Sequence, residues 1–163
     1  MGIPSSVTRF GKNEPFDLQV SRNQIYDHKI IFKFGFNPDI NGSEETIWDA
    51  GGIYAYPSAA TVMKVSSGST NDTAAGTGAR TILVQGLDAD YNEAEEIVTL
   101  NGQTAVNTTT SFLRVTRAYV LTAGSGGTAA GNIYVGVGTV TTGVPATIYA
   151  QITLGENQTL MGL

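Results

Sequence analysis

From Arg80 onward, apolar and polar positions alternate with the period of strands. "RTILVQGL" (80–87) reads as one strand, the acidic run "DADYNEAE" (88–95) as a turn region, and "EIVTL" (96–100) as the returning strand, which ends at Asn101-Gly102. "SFLRVTRAYVLTA" (111–123) places Leu113, Val115, Tyr119 and Leu121 on one face and Arg114, Thr116 and Ala118 on the other. In "NIYVGVGTV" (132–140), Ile133, Val135 and Val137 face one way; in "ATIYAQITL" (146–154), Ile148, Ala150, Ile152 and Leu154 recur at period two.

Earlier in the chain the pattern is looser. "ATVMKVSS" (60–67), "FDLQV" (16–20) and "HKIIFKFGF" (28–36) are strand candidates, and "GSTNDTAAGTG" (68–78) reads as a small polar loop. "FNPDINGSEETIWDAGG" (36–52) is loop, with turns at Asn37-Pro38 and Asn41-Gly42. Asn41 or Ser43 could cap a single helical turn through Trp48, stopped by Gly51 and Gly52. Residues 1–16, with Pro4, Gly11 and Pro15, read as an extended N-terminal arm, followed by one β-rich domain over residues 17–163. About eight strands at hairpin spacing, without a long helix, predict an all-β fold: an antiparallel β-sandwich or a jelly-roll-like domain. The end, "LGENQTLMGL", is apolar. Its pattern expects Leu160, Met161 and Leu163 to lie in a core or subunit contact, or the polypeptide to continue.

Composition narrows the function classes. Charged residues make up only 14% of the 163 residues against 20 glycines, the make-up of strands and small-residue turns rather than of charge-coated helices. With no cysteine, disulfides and thiolate metal sites are excluded. A net charge of −5 argues against a nucleic-acid partner, whose binding rests on Lys and Arg releasing counterions. Nor does the start resemble a secretory leader, or any stretch a membrane span. The charge is uneven: residues 1–33 carry Arg9, Lys12, Arg22, Lys29 and Lys33 against Glu14, Asp17 and Asp27, whereas the remainder is acidic. Such an arm suits a docking segment as well as it suits a solvated terminus.

The densest candidate chemistry is the cluster Asp88, Asp90, Glu93, Glu95 and Glu96. Asp88, Asp90 and Asn92 copy the 1-3-5 rhythm of a calcium loop. The copy fails at Glu93, where the loop needs glycine, and at Thr99, where it needs a bidentate Glu. A hydrated hairpin tip is the plainer reading, with a loose cation bridge between subunits as the remaining metal role. A glycosidase pair needs one carboxyl in a burying cleft, which a crowded exposed cluster does not supply. The only histidine, His28, has neither companion zinc ligands of the usual kind nor a Gly-x-Ser-x-Gly elbow. "GTGAR" and "GSGGTAAG" lack the Lys-Ser/Thr ending of a phosphate loop and read as turns. Sequons at Asn41, Asn71, Asn107 and Asn157 follow from an Asn- and Thr-rich composition, and the seven tyrosines could line a sugar-binding face or simply serve as strand residues. No catalytic constellation and no cofactor site emerges, which leaves a binding or structural module.

Three stretches together carry a resemblance: "FKFGFNPDINGSEETIWDAGG", "NDTAAGTGARTILVQGLDADYNEAEEIVTLNGQTAV" and "SFLRVTRAYVLTAGSGGTAAGNIYV". In this order and spacing they resemble a family of virion structural proteins from tailed bacteriophages, notably marine phages and cyanophages, over roughly residues 30–163. Family members often continue beyond a segment like "GENQTLMGL" with another strand-rich stretch. The resemblance implies a non-enzymatic capsid decoration, or cement, protein of the head-fibre kind. It would sit on the capsid surface, with the major capsid protein and further copies of itself, as a homotrimer, for partners. Arg9, Phe10, Lys12 and Phe16 would lie across neighbouring shell subunits. A tail or fibre component, or a glycan-binding adhesin on the host surface, is the alternative, and a non-viral carbohydrate-binding sandwich a third.

Overall fold

The computed structural model describes residues 15–22, 24–28, 34–37, 40–48 and 50–162. The chain divides into two compact units, Met1–Phe32 and Lys33–Leu163. Of the expected arm, residues 1–14 lie outside the described residues, as do residues 29–33 of the second strand candidate.

In the first unit, "FDLQV" is not a strand. It opens the short helix α1, Phe16–Ser21. Pro15 precedes it with φ −55°, and its carbonyl accepts the N–H groups of both Leu18 and Gln19, at 3.1 and 3.2 Å. Asp17 places a carboxylate in the first turn, where the exposed N–H groups favour negative charge. Five residues are too few for alternation to outweigh these end effects.

The second unit is built from antiparallel strands: β1 Phe34–Gly35, β2 Thr61–Ser67, β3 Ala79–Leu87, β4 Glu93–Thr99, β5 Val106–Phe112, β6 Arg114–Ala123, β7 Ile133–Thr141, β8 Val144–Ile152 and β9 Met161–Gly162. They form a four-stranded sheet ordered β5-β2-β7-β8, a three-stranded sheet ordered β4-β3-β6, and the pair β1-β9. Met63, Val65, Phe112, Ile133, Val135 and Ile152 from the larger sheet and Ile82, Val84, Val98, Val115 and Ala118 from the smaller belong to one buried cluster. The two sheets therefore share a single core, as in a sandwich. Each fully buried large side chain contributes roughly 1.5–3 kcal/mol over its exposed state.

The segment 111–123 departs from its expected single strand. The chain leaves β5 at Phe112 and enters β6 at Arg114, crossing between the sheets at Leu113, whose N–H bonds the Leu87 carbonyl at 2.7 Å. The predicted faces shift with it. Val115 and Ala118 are both buried while Leu121 is 42% exposed, because the β3–β6 register slips between Gln85 and Gly86 and changes the phase. β5 itself, "VNTTTSF", goes unannounced by hydrophobicity. Its Thr108 is buried and accepts the Met63 N–H at 2.9 Å, where β2 is irregular between Val62 and Lys64.

No helical turn forms among the described residues of 40–48. Side chains make the turns instead: Ser43 N–H donates to Asn41 Oδ1 at 2.9 Å and Trp48 N–H to Thr46 Oγ1 at 3.1 Å. Gly51 and Gly52 both have positive φ, but they stop no helical turn, and the irregular chain runs on past them to β2 at Thr61. The apolar terminus finds its place in a ladder, with Gly35 opposite Met161 and Phe34 opposite Gly162. Just before it, the Val120 N–H bonds Asn157 and the Thr159 N–H bonds Ala118, covering the free edge of β6. Leu163 lies outside the described residues.

Candidate functional site

The five clustered carboxylates serve three separate ends. At the β3–β4 tip, Asp88 Oδ1 accepts the backbone N–H groups of Asp90 and Asn92, each at 2.9 Å, and Asn92 Nδ2 donates to Oδ2 at 3.3 Å. The Asn92 N–H bond is the main reason the Asp88 carboxyl lies below its usual range; a slight burial works the other way, and the Asp90 N–H and the Asn92 amide reinforce the lowering. The Asp88 carboxylate thus holds the backbone of Asp90 and Asn92, with Asn92 turning its side-chain nitrogen toward it. Among the described residues no three ligating side chains converge as a metal site. Glu93 and Glu95 point outward with the exposed face of β4, where Gln85 Nε2 reaches Glu95 at 3.4 Å.

Glu96, half a pleat away, turns toward the other sheet. Its carboxylate takes the N–H of Thr109 at 2.9 and 3.0 Å and the N–H of Thr110 at 2.7 Å. Burial pushes this carboxyl up, but the bonds from Thr109 and Thr110 outweigh it and hold the group below its ordinary value.

An acid that pattern reading passed over is the most enclosed of all. Asp72, in the loop "GSTNDTAAGTG", is fully buried. Its Oδ1 accepts the N–H groups of Ala79 (2.7 Å) and Ala130 (2.9 Å), and its Oδ2 the Ser67 hydroxyl (2.6 Å) and the Gly131 N–H (3.0 Å). Two of these donors come from "GSGGTAAG" and one from "GTGAR", the glycine-rich runs that resemble anion cradles. They do cradle an anion: the protein's own carboxylate. The signal was present in the sequence, since Asp72 is the sole acid between Asp49 and Asp88, set among Ser, Thr, Gly and Ala. Four donors on two oxygens make it a clasp between distant loops.

The tyrosines do not form one exposed face. Trp48, Tyr56 and Tyr149 gather around Tyr54, whose ring is centred 5.2 Å from Trp48, 4.8 Å from Tyr56 and 6.3 Å from Tyr149. Arg114 lies over the Tyr56 ring at 5.2 Å and donates to the carbonyls of Pro57 and Leu113. The Tyr54 hydroxyl is buried without a hydrogen-bond partner among the described residues. Burial, reinforced by Tyr56 and Tyr149 and opposed by Arg114, raises its pKa well above the phenol range. Tyr134 is buried, while Tyr26 and Tyr91 stand exposed on other elements.

Beside this cluster lies an open cleft of about 580 Å³, lined among others by Asn37, Glu44, Glu45, Trp48, Gln151 and Thr153. Asn37 Nδ2 donates to Glu45 Oε2 across it at 3.2 Å. In the N-terminal unit, the exposed His28 directs Nδ1 to the Tyr26 carbonyl at 3.0 Å and packs edge-on against Phe16 at 5.5 Å. Of the expected docking residues, Phe16 is 56% exposed on α1, while Arg9, Phe10 and Lys12 lie outside the described residues. Comparison with protein families, with curated proteins and with solved structures finds no match to this chain.

Proposed function

We propose that this protein is a non-enzymatic structural component of a tailed-phage particle, a decoration protein that binds the assembled capsid and stabilises it. The observation that carries the proposal is the division of the chain at Phe32. Ahead of it stands a unit with Arg9, Lys12, Arg22 and Lys29 against three acids; behind it stands a β body with eleven acids against five basic residues. A basic leading unit on an acidic body suits a protein that docks by one end and keeps the other in solvent. The resemblance of three long segments to virion proteins points the same way. So does a body whose acids are occupied as clasps, at Asp72 and Glu96, rather than arranged around a reacting atom.

In this reading Arg9, Phe10, Lys12 and Phe16 contact the major capsid protein. Three copies around a local three-fold point add modest contacts that exist only on the assembled shell, and mass action then favours that shell. The glycan-adhesin alternative has less support, because the aromatic rings that come together pack around Tyr54 instead of forming an open platform. The test has two parts. Quantitative mass spectrometry of purified virions is expected to find an abundance comparable with the major capsid protein; a handful of copies would move the protein to the tail axis. A chain lacking residues 1–16 is expected to fold and to lose capsid binding, and undiminished binding would refute docking by the arm.

A further inference from the structure

The chain holds two Asn-Gly pairs, Asn41-Gly42 and Asn101-Gly102, and their surroundings are opposite. Asn41, Gly42 and Ser43 are all exposed. The Ser43 N–H donates to Asn41 Oδ1 at 2.9 Å, which folds the carboxamide back over the following peptide and polarises its carbonyl. A Cβ built on Gly42 would meet nothing within 4 Å, so the backbone has room to rotate. At the second pair, the Gly102 N–H is committed to the Asp72 carbonyl at 2.7 Å and the Gly102 carbonyl accepts the Ser67 N–H at 2.8 Å. Gly102 is buried, with Thr70 and Thr73 packed against it.

We infer that Asn41 is a site of spontaneous self-modification, converted by its own backbone and water to aspartate and isoaspartate, while Asn101 is protected by the main-chain hydrogen bonds that hold Gly102 to Asp72 and Ser67. The Gly42 nitrogen gives its proton to hydroxide and attacks Asn41 Cγ. A C–N bond forms, the Cγ–Nδ2 bond breaks, and the amide nitrogen leaves as ammonia with a proton from water. The resulting five-membered imide takes up one water at either carbonyl. One opening restores the main chain with an aspartate; the other leaves the chain running through the side chain. No redox partner is required. The product adds a negative charge to the loop that carries Glu44 and Glu45 into the cleft.

The experiment is a time course of the purified full-length chain in neutral buffer. It is read by peptide mapping with fragmentation that separates aspartate from isoaspartate, alongside the same chain unfolded in urea. Conversion at Asn41 is expected to run ahead of conversion at Asn101 and at the exposed Asn157, and the unfolded chain is expected to convert both Asn-Gly pairs alike. Equal conversion of Asn41 and Asn101 in the folded chain would overturn the inference, as would an intact Asn41 when the unfolded chain reacts. Gly42→Ala, which the open surroundings and the absence of a left-handed φ accommodate, is expected to reduce conversion at Asn41 to the level of Asn157. Undiminished conversion in that variant would rule out the imide route.

Discussion

Glu96 on β4 lies with its Oε2 2.7 Å from the backbone nitrogen of Thr110 on β5, so a side chain of one sheet satisfies the outer edge of the other. β5 is an edge strand, and its free N–H groups would otherwise face water or another chain. A carboxylate can accept from Thr109 and Thr110 together; a neutral amide of the same shape presents one oxygen and one nitrogen.

Glu96→Gln is therefore expected to cost about 1 kcal/mol, discounted from the usual value of a charged hydrogen bond because the site is partly solvated. The folded carboxyl titrates below its unfolded value. Its stabilisation is thus fully present above the ordinary carboxylate pKa and is lost as pH falls through the lower, folded one. Urea denaturation across the acidic range should show a shallower loss of stability in Glu96→Gln than in the parent. Identical slopes would show that the two Thr N–H groups do not depend on the charge.

Asp72 predicts a larger effect. Replacing it with Ala leaves the N–H groups of Ala79, Ala130 and Gly131 and the Ser67 hydroxyl facing a buried hole. The expected loss is about 3–5 kcal/mol, at the top of the range for single substitutions. Asp72→Asn keeps the size but sets an NH₂ against donors, and should recover only part of that loss. The denaturant midpoints of the two variants check the order; an Asn variant as stable as the parent would mean that the clasp needs shape and not charge.

Tyr54 offers a stabilising change. Its hydroxyl is buried without a hydrogen-bond partner among the described residues, so it carries a desolvation cost with no compensating bond there. Tyr54→Phe keeps the ring against Trp48, Tyr56 and Tyr149 and is expected to raise stability by about 1 kcal/mol. Trp48 is the sole tryptophan and its ring lies 5.2 Å from Tyr54, so its fluorescence reports the unfolding of this cluster directly. In an alkaline titration of the parent, the Tyr54 phenol should ionise only above the ordinary phenol range, in line with its raised pKa.

The sequence shows the all-β class through alternation, and β3, β7 and β8 declare themselves in this way. Where one residue slips the phase, alternation misleads: after the slip at Gln85–Gly86, Ala118 joins Val115 inside, and no period-two count can see this. β5 escapes notice because an edge strand of Asn and Thr buries little besides Thr108 and Phe112. Asp72 escapes because its partners lie 58 and 59 residues away as well as next door, so that the composition of its own loop suggests solvent. The acidic tip, by contrast, is local. Asp88 bonds residues two and four positions on, and it was legible as a turn.

That locality fixes the expected behaviour of the tip toward calcium. In Asp88→Asn the remaining Oδ1 can still accept the N–H groups of Asp90 and Asn92, which hold the loop, so the turn does not require the charge. The Asp88→Asn, Asp90→Asn double variant should fold and melt close to the parent, and neither added calcium nor a chelator should move the melting temperature of either protein. A cation bound here would have to draw Asp88 away from its own backbone and turn the Asn92 amide about. A calcium-dependent rise in melting temperature that the double variant abolishes would establish that it does so, and the tip would then be a ligand loop rather than a turn closed on itself.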